Sequence, residues 1–353
     1  MNGDDWNMGF IWFWLVAIML VGYVVLDGFD LGVGILYPFL AETEDERRMA
    51  LRSIGPVWDG NEVWLLAGGG TLYFAFPLLY ASAFSGFYLP LMIVLWLLVL
   101  RGISLELRNH LDAGVWRQLL GGLFAFASTL LVIFYGAALA NVIRGVPLNS
   151  SGYFFVPLWT NFLVGPSPGI LDWYTVLGGV VAFVALTLHG ALWLALKTTG
   201  DLESRAVSAA KRIWWVLLLL TIVSLAATIE VQPGSLKNYL TFPPAFVIPL
   251  GVLLFLGAIY YCNQRGRQLA AFLSSCFYLF LMMAGAAFAL YPTLLPSIID
   301  RSQDITVDRA LSGPHTLHVG LIWWSFGMLL ASGYFTLVYW MFRGKVDLKQ
   351  PGH

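Results

Sequence analysis

The sequence is poor in charged residues, which make up only 11% of its 353 positions. An average soluble domain has about 25% charged residues. With 59% hydrophobic residues, a soluble fold of this size could not hide enough apolar surface, because about a quarter of the chain's surface stays wet after folding. A lipid bilayer removes that demand. The formal net charge of -1 also argues against a nucleic-acid partner, which requires a basic face.

Cysteine and histidine are scarce as well. Cys262 and Cys276 fall in predicted helices without metal-ligand spacing, and we interpret them as buried thiols. Of the five histidines only His189 lies well within a predicted helix, and a lone histidine is more typical of packing than of haem ligation. No Walker or Rossmann motif is present. The residues therefore suggest no catalytic group and no metal site on this chain.

Long apolar runs dominate the sequence and predict an all-α integral membrane protein. A spanning helix needs about 20 mostly apolar residues. Acidic residues, rather than basic ones, precede the first run, so we interpret it as a retained helix and not as a signal peptide. We expect one polytopic domain over 1–353, with 144–172 and 291–317 as the only sizeable structures outside the bilayer. The nine predicted spans are 8–38, 56–76, 83–100, 119–143, 173–196, 213–230, 245–262, 269–292 and 318–342.

Basic residues predict the orientation of these nine helices. When successive loops are assigned to alternate sides, fifteen of the 19 Lys and Arg residues fall on one side, Arg101 and Arg108 among them. Loops rich in Lys and Arg stay in the cytoplasm. The sequence therefore predicts an outside N-terminus and a cytoplasmic C-terminus.

Two acidic motifs stand out because ionisable groups within hydrocarbon cost about 2.5–3.5 kcal/mol each. In the first helix, Asp27 and Asp30 are three residues apart and share one face. Glycines interleave with them and let another helix approach closely. At the start of the second helix, Asp59 and Glu62 have the same spacing, with Asn61 between them.

The depth of the two motifs brings their acids together. Asp27 follows Met8 by 19 residues, roughly 29 Å of helix, and so lies near the cytoplasmic end of the first span. Asp59 and Glu62 lie about 5–9 Å into the second helix, which starts on that same side. Four acids at one depth can take up and release protons. The alternatives are helix packing for the first pair, a helix-dipole partner for Asp59, and interfacial belt residues for Trp58 and Trp64.

Four segments resemble subunit II of cytochrome bd-type quinol oxidases, and the resemblance extends over essentially the whole chain. They are LDGFDLGVG at 26–34, WDGNEVW at 58–64, FSGFY at 84–88 and HGALWLALKT at 189–198. The resemblance implies two four-helix units plus one peripheral helix in a bacterial inner membrane. It implies an obligate partner, subunit I, which holds haem b and haem d (or b) and oxidises quinol, while oxygen is reduced to water with cytoplasmic protons and a proton motive force is generated. Small single-helix subunits can accompany the pair, and no haem is expected on this chain.

The resemblance also implies roles for single residues. The position of Asp59 belongs to a proton route from the cytoplasm, and Asp27 and Asp30 are linked to the same region. Trp64 corresponds to a residue associated with oxygen access, and Trp58 to one near a structural quinone. Well-known members carry Gln where this chain has Glu62, so the details of the proton path differ here. Two other functions stay open: a secondary transporter, although no matching interrupted helix appears in the second half, and a purely structural scaffold.

Overall fold

A computed structural model describes residues 3–110, 114–165, 167–346 and 348, and almost all of its regular structure is helical. A short antiparallel strand pair is the exception to the predicted all-α fold. The elements are α1 (Gly3–Leu40), α2 (Glu44–Ile54), α3 (Trp58–Ala75), α4 (Pro77–Gly86), α5 (Tyr88–His110), α6 (Gly114–Arg144), α7 (Trp173–Lys197), α8 (Gly200–Val231), α9 (Lys237–Thr241), α10 (Val247–Gln264), α11 (Gln268–Leu290), β1 (Thr293–Leu295), β2 (Ile305–Thr306), α12 (Val307–Ala310) and α13 (Pro314–Met341), with 3-10 turns at Pro233–Leu236, Pro243–Phe246 and Arg301–Gln303.

Eight helices within the described residues are long and apolar enough to cross a membrane, which confirms the predicted multi-span architecture. They are α1, α5, α6, α7, α8, the segment Pro243–Gln264 that contains α10, α11 and α13. The predicted second span, 56–76, forms α3. This helix is 18 residues long but less apolar, because Asp59, Asn61 and Glu62 occupy its first turns.

The helices form two groups around a central contact between α1 and α7. α1 packs against α3, α6, α7 and α11, and α7 packs against α6, α8 and α11. This gives one unit of α1, α3, α5 and α6 and another of α7, α8, α10 and α11. α13 lies outside both units, beside α1 and α3, and has only Leu317 buried. The arrangement agrees with two four-helix units plus one peripheral helix.

Two glycines allow the close approach of α1 and α7. A Cβ atom at Gly32 would lie 2.8 Å from both the Cα and the backbone nitrogen of Gly190, and it would also meet the carbonyl of Leu186. Backbone atoms cannot move aside as a flexible side chain can. The glycines of the first acidic motif therefore fix the depth at which the two units meet.

Replacing Gly32 by alanine is expected to destabilise the fold by about 1–3 kcal/mol, because the two helix backbones would have to separate. Gly69→Ala is the matched control, since a Cβ atom there meets nothing within 4 Å. Thermal unfolding of the two variants checks this. Equal midpoints would show that the crossing tolerates a side chain.

Several edges of the predicted spans were wrong. The third run, 83–100, begins inside α4 and ends before α5 does, because α5 continues to His110. Arg101 and Arg108 therefore belong to a helix and are buried, although the sequence placed them in a loop. α1 ends at Leu40, close to the predicted edge at 38, but Asp30 lies ten residues before that end, which is about 15 Å of helix, so the acids of α1 lie further from the helix end than predicted.

One helix outside the spans was not predicted. α2 begins with a capping box in which Thr43 and Glu46 exchange hydrogen bonds. Its Glu46 carboxylate pairs with Arg205 of α8, and Glu44 receives a 3.1 Å hydrogen bond from Arg108 of α5. The sequence-based expectation of only two sizeable external structures was therefore wrong. We call this side of the bundle, where α2 lies, the basic end, and the opposite side the loop end.

Glu46 is expected to make the stability of the basic end depend on pH. Burial alone would raise the pKa of Glu46, but hydrogen bonds from Thr43 and Arg205 lower it below the ordinary 4.5. A carboxyl group whose pKa is lower in the folded than in the unfolded chain stabilises the fold at pH values above its unfolded pKa. This contribution is lost as the pH falls below about 4.5 toward the lowered pKa of the folded state. Glu46→Gln should lower the free energy of unfolding by less than about 1 kcal/mol at pH 7, and the variant should lose less stability than the wild type as the pH falls. Thermal melts from pH 7 to pH 4 test this, with the exposed Asp45→Asn as control; parallel curves would contradict it.

Candidate functional site

A buried ion pair lies at the centre of the acidic cluster. The Arg101 guanidinium of α5 donates two hydrogen bonds, of 2.9 Å and 2.5 Å, to the Asp27 carboxylate of α1, and both side chains are fully buried. Its Nη1 atom also lies 3.8 Å from Oε2 of Glu62 on α3. The pairing explains how Asp27 is accommodated, because a buried carboxylate without a partner would be strongly destabilising.

The Trp58 ring covers the other side of this arginine. The Arg101 guanidinium carbon lies 6.0 Å from the centroid of the indole, and a side chain at Gly102 would contact the same ring. Arginine tolerates such a site because its planar guanidinium can stack on an aromatic face while its edges pair with carboxylates. α1, α3 and α5 thus converge on one cation.

A second polar chain links α1, α3 and α13. Asn61 donates a 2.8 Å hydrogen bond to Oδ2 of Asp30 and a 3.1 Å bond to the carbonyl of Leu26. The Tyr339 hydroxyl of α13 donates to Oδ1 of Asn61 at 2.9 Å. Asp30 is fully buried, yet its Oδ1 atom has no hydrogen-bond partner within the described part of the chain.

Asp59 lies at the rim of this cluster rather than inside it. Its side chain is exposed, and its carboxylate accepts a 2.7 Å hydrogen bond from the backbone N–H of Gly60. Glu62, one turn deeper, is only 23% exposed and faces Arg101. The structure therefore brings Asp27, Asp30, Glu62 and Asn61 together and leaves Asp59 on the outward face of α3.

Comparison with known proteins shows the family to which the sequence belongs. The sequence model of the family described as cytochrome bd terminal oxidase subunit II matches residues 8–342. The chain belongs to the cytochrome bd terminal oxidase subunit II family. The resemblance noted from the four motifs is thereby confirmed.

Curated relatives of this subunit II match over nearly their whole length. The cytochrome bd ubiquinol oxidase subunit 2 of Bacillus subtilis is 32% identical over 343 residues, which are 97% of each chain. The cytochrome bd-I ubiquinol oxidase subunit 2 of Escherichia coli K12 is 31% identical over 379 aligned positions, which cover 98% of this chain and 97% of that one.

A solved structure shares the fold of this subunit II. The bd oxidase from Geobacillus thermodenitrificans has a chain that superposes with a TM-score of 0.75 at 17% identity, over 96% of this chain and 99% of that one. With eight apolar spans in the described part of the chain and these relatives, the subunit is a multi-pass protein of the bacterial inner membrane, as predicted.

Sequence reasoning missed four polar residues of the site in this subunit II. These are Arg101, Tyr339 and the pair Tyr23 and Tyr135, whose hydroxyls are 3.0 Å apart. Tyr23 precedes Asp27 by four residues on α1 and so shares its face. The seven-residue spacing of Arg101 and Arg108 was a usable signal, because it puts both cations on one face of α5.

The two tryptophans predicted at the site have different surroundings. The Trp64 ring packs at a tilt against Phe335 of α13, with ring centroids 5.6 Å apart, and lines a groove of about 750 Å³ between α3 and α13. A separate cavity of about 540 Å³ lies between the two helix units, with Tyr23, Tyr135 and Tyr174 in its wall. Trp58 lines neither of these two cavities.

Proposed function

We propose that this subunit II acts, as one polytopic domain, with a haem-bearing subunit I that oxidises quinol to quinone and reduces oxygen to water. Its own contribution is to stabilise that partner and to pass cytoplasmic protons toward it. One observation carries the proposal. Three acids, one arginine and one asparagine are gathered at one depth of an otherwise apolar bundle, beside an exposed acid on an unpaired helix face.

The proposed route starts at Asp59, which is closest to the basic end of the bundle. Glu62 lies one turn deeper and adjoins Arg101, whose other partner is Asp27. Asp30 has an unpartnered carboxylate oxygen within the described residues, and Asn61 joins it to Tyr339. Buried acids of this kind are typical of proton relays in membrane proteins. The route requires a cytoplasmic basic end, and we therefore propose an N-terminus on the outer side.

The outward face of α3 is the proposed contact with subunit I in an obligate heterodimer. Its exposed positions Asp59, Val63, Leu66, Gly70 and Tyr73 repeat every three or four residues and so form one stripe. The stripe is apolar except for the acid at its basic end. A partner helix on this stripe would cover the apolar residues and receive protons at the acid. Lipid and small single-helix subunits would cover other exposed apolar helices.

We assign haem b and haem d (or b) to subunit I. His189, which is buried, is not free to ligate iron, since its ring nitrogens are 2.7 Å from Oγ of Ser275 and 3.0 Å from the carbonyl of Val25. A structural quinone is assigned to the 540 Å³ cavity, because the Tyr135 hydroxyl in its wall accepts from Tyr23 and keeps its own proton for a quinone carbonyl oxygen. Roles for Trp58 beside a quinone and for Trp64 in oxygen access stay predictions.

Replacing Asp59 by asparagine tests the proposed entry point. The exposed side chain makes no tertiary hydrogen bond in the described residues, so the complex should assemble with a normal haem spectrum. Quinol-driven oxygen consumption should fall about tenfold or more, which is the scale of losing a positioned proton-transfer group. Asp308→Asn, an exposed acid on α12, is the matched control. Wild-type turnover in an assembled Asp59→Asn complex would leave only a scaffold role for this residue.

A further inference from the structure

The loop that joins α6 to α7 has an apolar surface and no charge. Residues 145–171 contain no Asp, Glu, Lys, Arg or His, although a segment of this length in a soluble domain would carry about seven charged residues. Trp159, Phe162 and Leu163 in this loop are 56%, 48% and 68% exposed. A group of exposed apolar side chains of this kind marks a contact with a membrane or with another protein.

The exposed side chains belong to a folded and anchored hairpin. Two backbone hydrogen bonds, of 2.9 Å and 3.1 Å, close this hairpin, which comprises residues 157–165 and 167–171. At its base the buried Arg144 pairs with Asp172 and donates a 3.1 Å hydrogen bond to the carbonyl of Gly169. The exposed rings are therefore held on a preformed surface, so contact with a partner phase requires little ordering of the chain.

The depth of the hairpin matches that of the lipid head groups. The backbone N–H of Trp173 donates a 3.2 Å hydrogen bond to the carbonyl of Phe162, so Phe162 is level with the first residue of α7. α7 has 25 residues and is about 37 Å long, whereas the hydrocarbon core is about 30 Å thick. A centred α7 therefore extends about 3–4 Å beyond the core at each end, into the layer where tryptophan rings are enriched.

A second loop at the same end of the bundle is charged and covers its centre. This loop spans 291–313 and carries five charged residues, and its helix α12 packs against α1 and α4. The hairpin instead adjoins α6 and α7, which carry the exposed apolar side chains of Ile133 and Val180 nearer the membrane centre. The charged loop thus lies over the bundle, and the uncharged hairpin lies above apolar, exposed positions of two spanning helices.

We propose that the hairpin is inserted into the head-group layer of the leaflet at the loop end, where Trp159, Phe162 and Leu163 contact phospholipid. Subunit I fits this surface less well, because the stripe proposed for that contact is on α3, which packs against α1 and α4 rather than beside the hairpin. A water-soluble partner would find no charge on the loop to complement its own. The inference does not depend on the proton route.

A photocrosslink identifies what the hairpin contacts. p-Benzoylphenylalanine retains the ring of Phe162 when it replaces that residue, and the exposed Asp308 in the charged loop is the matched control position. The assembled complex is irradiated in nanodiscs of phosphatidylethanolamine and phosphatidylglycerol, and the masses of its subunits are measured. Subunit II should gain the mass of one phospholipid in the Phe162 variant and not in the Asp308 variant. A cross-link from position 162 to subunit I or to a second complex would overturn the proposal, and so would equal lipid addition at both positions or none at either.

Thiol labelling measures whether the hairpin is in water. Leu163→Cys and Ser302→Cys both replace exposed residues, the first in the hairpin and the second in the charged loop. In nanodiscs a membrane-impermeant maleimide should label Leu163→Cys about tenfold more slowly than Ser302→Cys, because only the thiolate reacts and apolar surroundings raise the pKa of a thiol. The wild type gives the background from Cys262 and Cys276. Equal labelling rates would show that the hairpin is in water and would overturn the proposal.

Discussion

Replacing Arg101 by methionine is expected to destabilise the complex by about 3–5 kcal/mol. Methionine has a similar length but cannot pair with Asp27, which would be left as a buried carboxylate without a partner. Glu62 would lose the same cation. The measurement is the thermal midpoint at which the assembled complex loses its haem absorption. Arg48→Met is the control, because the exposed Arg48–Glu44 pair contributes at most about 1 kcal/mol.

The double variant Asp27→Leu/Arg101→Met separates stability from function. Replacing a whole buried ion pair by apolar side chains of similar size is often neutral for stability. We therefore expect the thermal midpoint of the double variant to lie close to that of the wild type, while its oxygen consumption stays slow. Recovery of both properties would show that the pair is structural only. A stable Arg101→Met single variant would contradict the buried pairing itself.

The second large effect is expected from Asp30→Asn. Asparagine keeps the shape of the side chain, and its amide oxygen can still accept the hydrogen bond from Asn61. The new amide nitrogen replaces an oxygen that has no partner in the described structure, so no existing bond is lost. Assembly should therefore be preserved while oxygen consumption falls at least about tenfold, because an amide cannot carry a proton.

Steady-state oxygen consumption with a soluble quinol, normalised to haem content, checks the Asp30 prediction. Asp308→Asn again makes the same chemical change far from the cluster. If Asp30→Asn assembled and turned over as fast as the wild type, protons would have to bypass the Asp30 carboxylate.

The composition and the two acidic motifs were sufficient to predict a membrane bundle and to locate its polar cluster. Charged residues within apolar helices are visible in a sequence because hydrocarbon makes them costly. The position of Arg101 was predicted wrongly. The apolar run stops one residue before it, and a cation at such an edge is typically a loop residue that follows the positive-inside rule. Only the structure shows that α5 continues to His110 and turns Arg101 inward.

The orientation of each helix about its own axis could not be predicted from the sequence. The spacing of Asp59 and Glu62 indicated a shared face, but α3 presents Asn61 to α1, turns Glu62 toward α5 and leaves Asp59 outside. That orientation depends on packing against neighbours distant in the chain. Tyr339 illustrates the limit, since it reaches Asn61 across 278 residues and no local pattern connects them.

The most direct test of proton delivery by the acidic cluster is a single-turnover measurement on the fully reduced complex in proteoliposomes, with a pH-sensitive dye on each side of the membrane. On mixing with oxygen, the wild type and Asp308→Asn should take up protons from the side of the basic end as oxygen is reduced. In Asp30→Asn both proton uptake and oxygen reduction should slow together at unchanged haem content. Proton uptake by Asp30→Asn from that side at the wild-type rate would contradict the account.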